Sequence, residues 1–146
     1  MTIVEKDLLW LVSHFEQYGT KIAQIVDPQW IDENHPAGSM LQKVLAEFEH
    51  DAWQGTDSFS DIAESDAEAS LMSEILIQSN QHDDFQVLPA INAALKRLFL
   101  RYLERRNQAL KAKMAKLDPQ SDEYLQLNKQ RIQLRHQRRQ IPALEA

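Results

Sequence analysis

The sequence predicts an all-α protein: a helical bundle followed by a long helix that forms a C-terminal antiparallel helical hairpin. Three observations predict it. Turn formers are scarce, with 3 Gly and 5 Pro in 146 residues, which disfavours a fold of many short strands. Apolar residues recur at three- and four-residue spacing along most of the chain. Finally, one stretch from about Asp84 to Leu117 has nothing to stop a helix, and Asp118-Pro119 follows it directly.

Taken in order, Leu8, Leu11, Val12 and Phe15 give a first helix over about Val4 to Gln17. Gly19-Thr20 breaks it, and Thr20 caps a short helix through Val26. Asp27 to Gly38 holds two prolines and little periodicity, so it reads as a loop. Ser39 caps a third helix with Leu41, Val44, Leu45, Phe48 and Ala52 on its apolar face, closed by Gly55. Ser58 caps a short helix around Phe59 to Ala63, and another runs from about Asp66 to Gln78 with Leu71, Met72, Ile75 and Leu76 inward. The long helix tolerates Pro89 near its start and would be a rod of about 50 Å. Its stripe rotates: Leu88, Ile91, Leu95, Leu98 and Tyr102 mark one face, and Leu103, Leu110, Met114 and Leu117 another. Between them, Leu98 to Leu103 are apolar over most of the circumference, as in a helix buried on several sides. Asp118 as N-cap and Pro119 at the first helical position start the last helix, where Leu127, Leu134 and Ile141 recur every seven residues and Pro142 ends the pattern. With the turn at 118–121, facing residues of the hairpin should sum to about 237. That pairs Leu110 with Leu127 and Leu103 with Leu134, and brings Met114 near Tyr124. The chain divides into a bundle, residues 1–102, and a hairpin, residues 103–146, sharing the long helix of about 84–117.

Charge is split along the chain. Residues 1–84 hold 3 Lys/Arg against 17 Asp/Glu, and residues 85–146 hold 13 against 5. Two surfaces for different partners, or attraction between the halves, would each account for the split. The absence of Cys excludes disulfides and thiolate metal sites and is compatible with a reducing cytoplasm. No apolar run approaches a membrane span, and Met1 to Asp7 lacks the layout of an export signal.

Catalytic signatures are missing: there is no nucleophile elbow, phosphate-cradling Gly-rich loop or calcium loop. Of the five histidines, His14, His35, His50, His82 and His136, only Glu47-x-x-His50 has metal-ligand spacing. It occurs once, whereas bundle di-metal sites use it twice, so no metal, cofactor or catalytic residue is expected. Glu47, Glu49 and Asp51 read as a solvated helix face, and Asp57 to Glu68 as an acidic surface. Lys96, Arg97, Arg101, Arg105, Arg106, Lys111, Lys113 and Lys116 could touch phosphate, but the acidic first half would repel it, and direct nucleic-acid binding is not expected.

One face of the last helix stands out. Leu125 and Ile132 lie about 150° from Leu127 and Leu134 at 100° per residue. A two-helix hairpin buries one side of each helix, so this pair is exposed, covered by the bundle, or kept for a partner. Asn128, Arg135 and Arg139 sit around it, and apolar anchors rimmed by arginine suit an interface centre. Two isolated surface aliphatics are the plainer alternative.

This order of elements resembles the C-terminal helicase-binding domain of bacterial DnaG-type DNA primases, over about Val4 to Ile141. The pieces are Leu8-Leu9-Trp10-Leu11-Val12, then Ile31-Asp32-Glu33-Asn34 leading into Leu41 to Phe48, Ala90-Ile91-Asn92-Ala93-Ala94-Leu95 running into Arg101 to Arg105, and Asp118-Pro119-Gln120-Ser121 before Leu125 to Arg139. None is a unique motif; the likeness lies in pattern and order. The resemblance implies a cytoplasmic interaction domain that docks on the hexameric DnaB-type replicative helicase, with the bundle modulating the helicase and the hairpin supplying most of the grip. It also names the tail of a single-stranded-DNA-binding protein as a further partner. Zinc-binding and primer-polymerising domains would lie upstream, so this chain should make no primers alone. The acidic first half does not follow from the family pattern. The rival reading is a helicase N-terminal-like helical adaptor with no part in priming, which leaves the long helix and hairpin unexplained.

Overall fold

The computed structural model describes residues 3–55, 58–77 and 84–144, apart from the side chains of Asp84 and Phe85. Among them every regular element is helical: α1 Val4–His14, α2 Gly19–Ile25, α3 Pro36–Glu49, α4 Phe59–Ile62, α5 Asp66–Ile77, α6 Asp84–Met114 and α7 Asp122–Gln137, with 3-10 turns at Glu16–Tyr18 and Pro28–Trp30. None of these helices is long and apolar enough to cross a membrane.

Several boundaries differ from the spacing-based expectation, each for a local reason. α1 stops at His14 rather than Gln17 because Phe15 leaves the helical region. Gly19 is not a break. It is the first residue of α2, in helical conformation, and Thr20 lies inside the helix instead of capping it. What Gly19 provides is room for Phe48, whose ring would meet a Cβ there at 2.3 Å. α3 starts at Pro36, not after Ser39, with the His35 ring Nδ1 accepting the Ala37 N–H at 3.1 Å. Pro36 is preset for the first helical position, and Gly38 lets the helix press against the Asp32 carbonyl, where a Cβ would come to 1.8 Å. α3 ends at Glu49; Asp51 adopts a left-handed φ of 56°, and Ala52 lies exposed beyond the helix.

Ser58 makes no side-chain cap on α4; its Oγ accepts from the Gln54 N–H at 3.4 Å. α5 is opened by Ser65, whose Oγ accepts the Glu68 N–H at 3.2 Å and donates to the Glu68 carboxylate, a reciprocal cap. Its inward arc is Glu68, Met72 and Ile75, so Leu76, about 70° round from the middle of that arc at 100° per residue, is 42% exposed rather than inward. The expected end at Gln78 lies outside the described residues.

The bundle core is α1, α3 and the first half of α6, centred on Leu8, Leu9, Val12, Leu41, Val44, Ile91, Leu95 and Leu98. A second cluster, Phe99, Leu103, Leu110 and Leu134, continues along α6, and Trp30 packs against both. The largely apolar girth around Leu98 to Leu103 is explained by this hand-over, since α6 there faces bundle on one side and α7 on another.

A buried ion pair fixes α6 to α1. Glu5 is wholly buried, and both its oxygens accept from the Arg101 guanidinium. Oε2 also accepts the Asp32 N–H at 2.8 Å, while Arg101 reaches the Trp30 carbonyl at 3.3 Å. Burial pushes the Glu5 carboxyl up, but the Arg101 guanidinium and the Asp32 amide outweigh it and hold the group below the usual carboxylate range. Asp7 pairs with Arg97 at 2.9 Å one turn along. These two pairs join acidic α1 to basic α6, so attraction between the halves accounts for part of the charge split. Lys43 binds Glu68 at 2.7 Å, tying α3 to α5, and its ammonium lowers that carboxyl as well.

Folded-state values lowered in this way give stability that is present above the unfolded carboxylate range and lost as pH falls through the lowered values. Glu5→Gln leaves Arg101 without its countercharge. It should cost roughly 3 kcal/mol at pH 7, the low end for a broken buried pair, because Arg101 keeps 30% exposure and can rehydrate. Urea unfolding of parent and variant should show the gap narrowing as pH falls below the ordinary carboxylate range and closing once Glu5 protonates in the folded state. A gap that is absent at pH 7 would remove the pair from this role.

Candidate partner-binding face of the hairpin

The hairpin is built around residues 115–121. α6 ends at Met114, three residues before the expected Leu117, and Asp118 to Ser121 form a β-turn closed by the Ser121 N–H to the Asp118 carbonyl at 2.9 Å. Pro119 occupies its second position, where a fixed φ is preset. The Asp118 carboxylate accepts the Gln120 N–H at 2.9 Å. Asp118 is therefore the turn's first residue and not the cap of α7. That cap is Ser121, whose Oγ accepts the Tyr124 N–H at 3.2 Å.

From this turn α7 runs back along α6. Leu134 is buried with Leu103 and Leu110, and Leu127 packs against them half-buried. Asn107 Oδ1 accepts from Arg131 Nε at 3.0 Å, so facing numbers sum to 238 at that level. Ile141 does not join the seam. α7 ends at Gln137, four residues short of it, and Ile141 is 42% exposed.

Leu125 and Ile132 point away from the seam and are 49% and 51% exposed, among the few large apolar side chains left to solvent in the described residues. Asn128, half-buried, and Arg135, exposed, form the adjoining row, about 40–60° round the helix from Ile132. Arg139 is exposed but lies past the helix end, held by a turn in which its N–H donates to the His136 carbonyl at 3.1 Å. Helical spacing therefore brings Leu125, Asn128, Ile132 and Arg135 together, and Arg139, past the end of α7, falls outside that spacing. A groove of about 490 Å³ adjoins this row between α6 and α7, floored by Leu100, Leu103 and Leu134 and walled by Arg131, Arg135 and Arg138. Sequence reasoning missed Arg131 and Asn107, which flank the seam; the sum rule that pairs the leucines also pairs these two.

Much of the basic α6 surface is engaged by the chain itself. Arg97 and Arg101 hold α1, Arg105 reaches the Trp30 carbonyl at 3.4 Å, and the Arg106 guanidinium lies 6.0 Å from the Tyr102 ring centre. Among the described residues no three His, Asp or Glu side chains gather as metal ligands would. His14 Nε2 sits 3.0 Å from the Ile75 carbonyl, His35 caps α3, His50 closes it, and His82 lies outside the described residues. Comparison with protein-family models, curated proteins and solved structures finds no match in any of the three.

The geometry separates two kinds of apolar position on α7. Ile132→Asp and Leu125→Asp should leave helical content and the unfolding midpoint essentially unchanged, since both side chains already meet water. Leu134→Asp puts a charge in the seam and should melt α7 while sparing the bundle. Circular dichroism and urea unfolding of the three variants test this, and equal effects at 132 and 134 would void the assignment of faces.

Proposed function

We propose that this chain is a docking module that attaches a DnaG-type primase to the replicative helicase, a hexamer of DnaB type, so that primer synthesis is coupled to unwinding. One observation carries the reading: Leu125 and Ile132 stand seven residues apart on the outer side of α7, half-exposed, beside Asn128 and Arg135, with Arg139 exposed just past the helix end. An apolar centre with an arginine rim suits a partner surface that is apolar at its middle and acidic at its edge. The succession of bundle, unbroken long helix and antiparallel hairpin supports the same assignment through its resemblance to the primase domain. In this reading the setting is the cytoplasm and the chain catalyses nothing itself. Primer synthesis belongs to other domains of the parent protein.

Equilibrium binding of the full chain to a purified hexameric DnaB-type helicase is the direct test. Ile132→Asp should weaken the complex at least tenfold, about 1–2 kcal/mol. Arg139→Glu should act chiefly on the association rate and its salt dependence. A folded Ile132→Asp chain that binds as tightly as the parent would move the site to the bundle surface, and a parent chain with no affinity for the helicase would end the proposal.

A further inference from the structure

α7 is held weakly along its length. Of its sixteen residues only Leu134 is buried, and its remaining leucine and isoleucine side chains are half-buried or turned outward. A helix this short and polar is marginal on its own in water, so its position must come from tertiary contacts. The turn at 118–121 supplies one end. The other end is supplied by a segment past the helix, where periodicity has ceased.

Leu144 is 6% exposed and belongs to the bundle core, not to the hairpin cluster. Its backbone is gripped at two points by one side chain of α6: Asn92 Oδ1 accepts the Leu144 N–H at 2.7 Å, and Asn92 Nδ2 donates to the Leu144 carbonyl at 3.1 Å. A carboxamide offers an acceptor and a donor at fixed separation, so one side chain meets both backbone groups of Leu144. Asn92 also falls on the same line of α6 as Phe99, Leu103 and Leu110, within about 40° of arc. The seam covered by α7 and the point that grips Leu144 are therefore one continuous stripe, pinned at the turn and at Asn92.

We propose that Pro142–Leu144 is a latch: docking of Leu144 on Asn92 closes α7 onto α6, and its release leaves α7 held only by the turn and the thin seam at Leu134 and Arg131. Opening would uncover Leu103 and Leu110 and leave Leu125 and Ile132 without a fixed direction relative to the bundle. If the outer face of α7 is the docking face, the latch also sets affinity for the helicase, because only the closed fraction presents that face in register with the bundle. This last step rests on the docking reading; the latch itself does not.

Hydrogen exchange on the full chain separates the two. Asn92→Ala removes the double grip while keeping Leu144, and Leu144→Ser removes the apolar plug while keeping Asn92. In both variants the amides of Leu125–Gln137 should exchange at least ten times faster than in the parent, while those of Leu8–Val12 and Val44–Phe48 keep their rates. Unchanged exchange in α7, or acceleration spread equally over α1, α3 and α7, overturns the latch, the second by making Leu144 an ordinary core residue. Helicase affinity should fall in both variants as the closed fraction falls, whereas Ile132→Asp should lose affinity with parental exchange. Faster α7 exchange in a protein whose parent form never binds helicase would retain the latch and reject the docking reading.

Discussion

The carboxylate of Glu5 is the constraint around which the chain is arranged. It sits wholly inside the bundle and takes donors from two other parts of the molecule, the guanidinium of Arg101 and the backbone of Asp32. Taking a carboxylate out of water is expensive, and a pair of this kind need not stabilise more than well-packed apolar side chains would. Its value is in what it forbids. Rotating α6 by one residue, or sliding it by one turn, would leave Glu5 charged in an apolar interior without its countercharge. The same guanidinium reaches the Trp30 carbonyl, so the connection before α3 is set by the pair as well. With the angle and height of α6 fixed there, everything that α6 carries beyond Arg101 is positioned.

Much of this was legible in the sequence wherever periodicity alone decides. The heptad leucines of α7 and the unbroken run of α6 gave the seam, and the Asn107–Arg131 bond falls within one unit of the register expected from the turn. Leu125 and Ile132 stand in solvent as the helical angle required. What was illegible has a common cause, which is tertiary contact made by a residue whose local reading is bland. Glu5 looks like any acidic residue in a first helical turn, yet among the described residues it is the most deeply buried charge. Gly19 looks like a breaker and is instead a seat for Phe48. Leu144 stands beyond the proline that ends the helical pattern, so periodicity does not mark it as core. Ile141 has the opposite fault: its spacing fits the seam, but the helix has already ended.

The two halves of the charge pattern meet at α1 and α6, through Glu5–Arg101 and Asp7–Arg97. Both cations of the first half that take part in ion pairs, Lys6 and Lys43, are bound to glutamates of α5 or its approach. The hairpin, by contrast, carries ten Lys/Arg and four Asp/Glu over residues 103–144. It is thus the hairpin that projects positive potential, and at ordinary ionic strength this reaches about 8–10 Å into solvent. An acidic partner would meet that field before it met either leucine or isoleucine.

Because α6 has no interruption between the bundle and the turn, it is also a mechanical element. The fourteen residues from Arg101 to Met114 span about 20 Å of continuous helix. A sideways load applied at the turn is delivered as torque where α6 enters the bundle, and the side chain at that fulcrum is Arg101. A weight hung on the far end of the hairpin is therefore felt first at a buried carboxylate on the first helix, before it reaches the core leucines behind it.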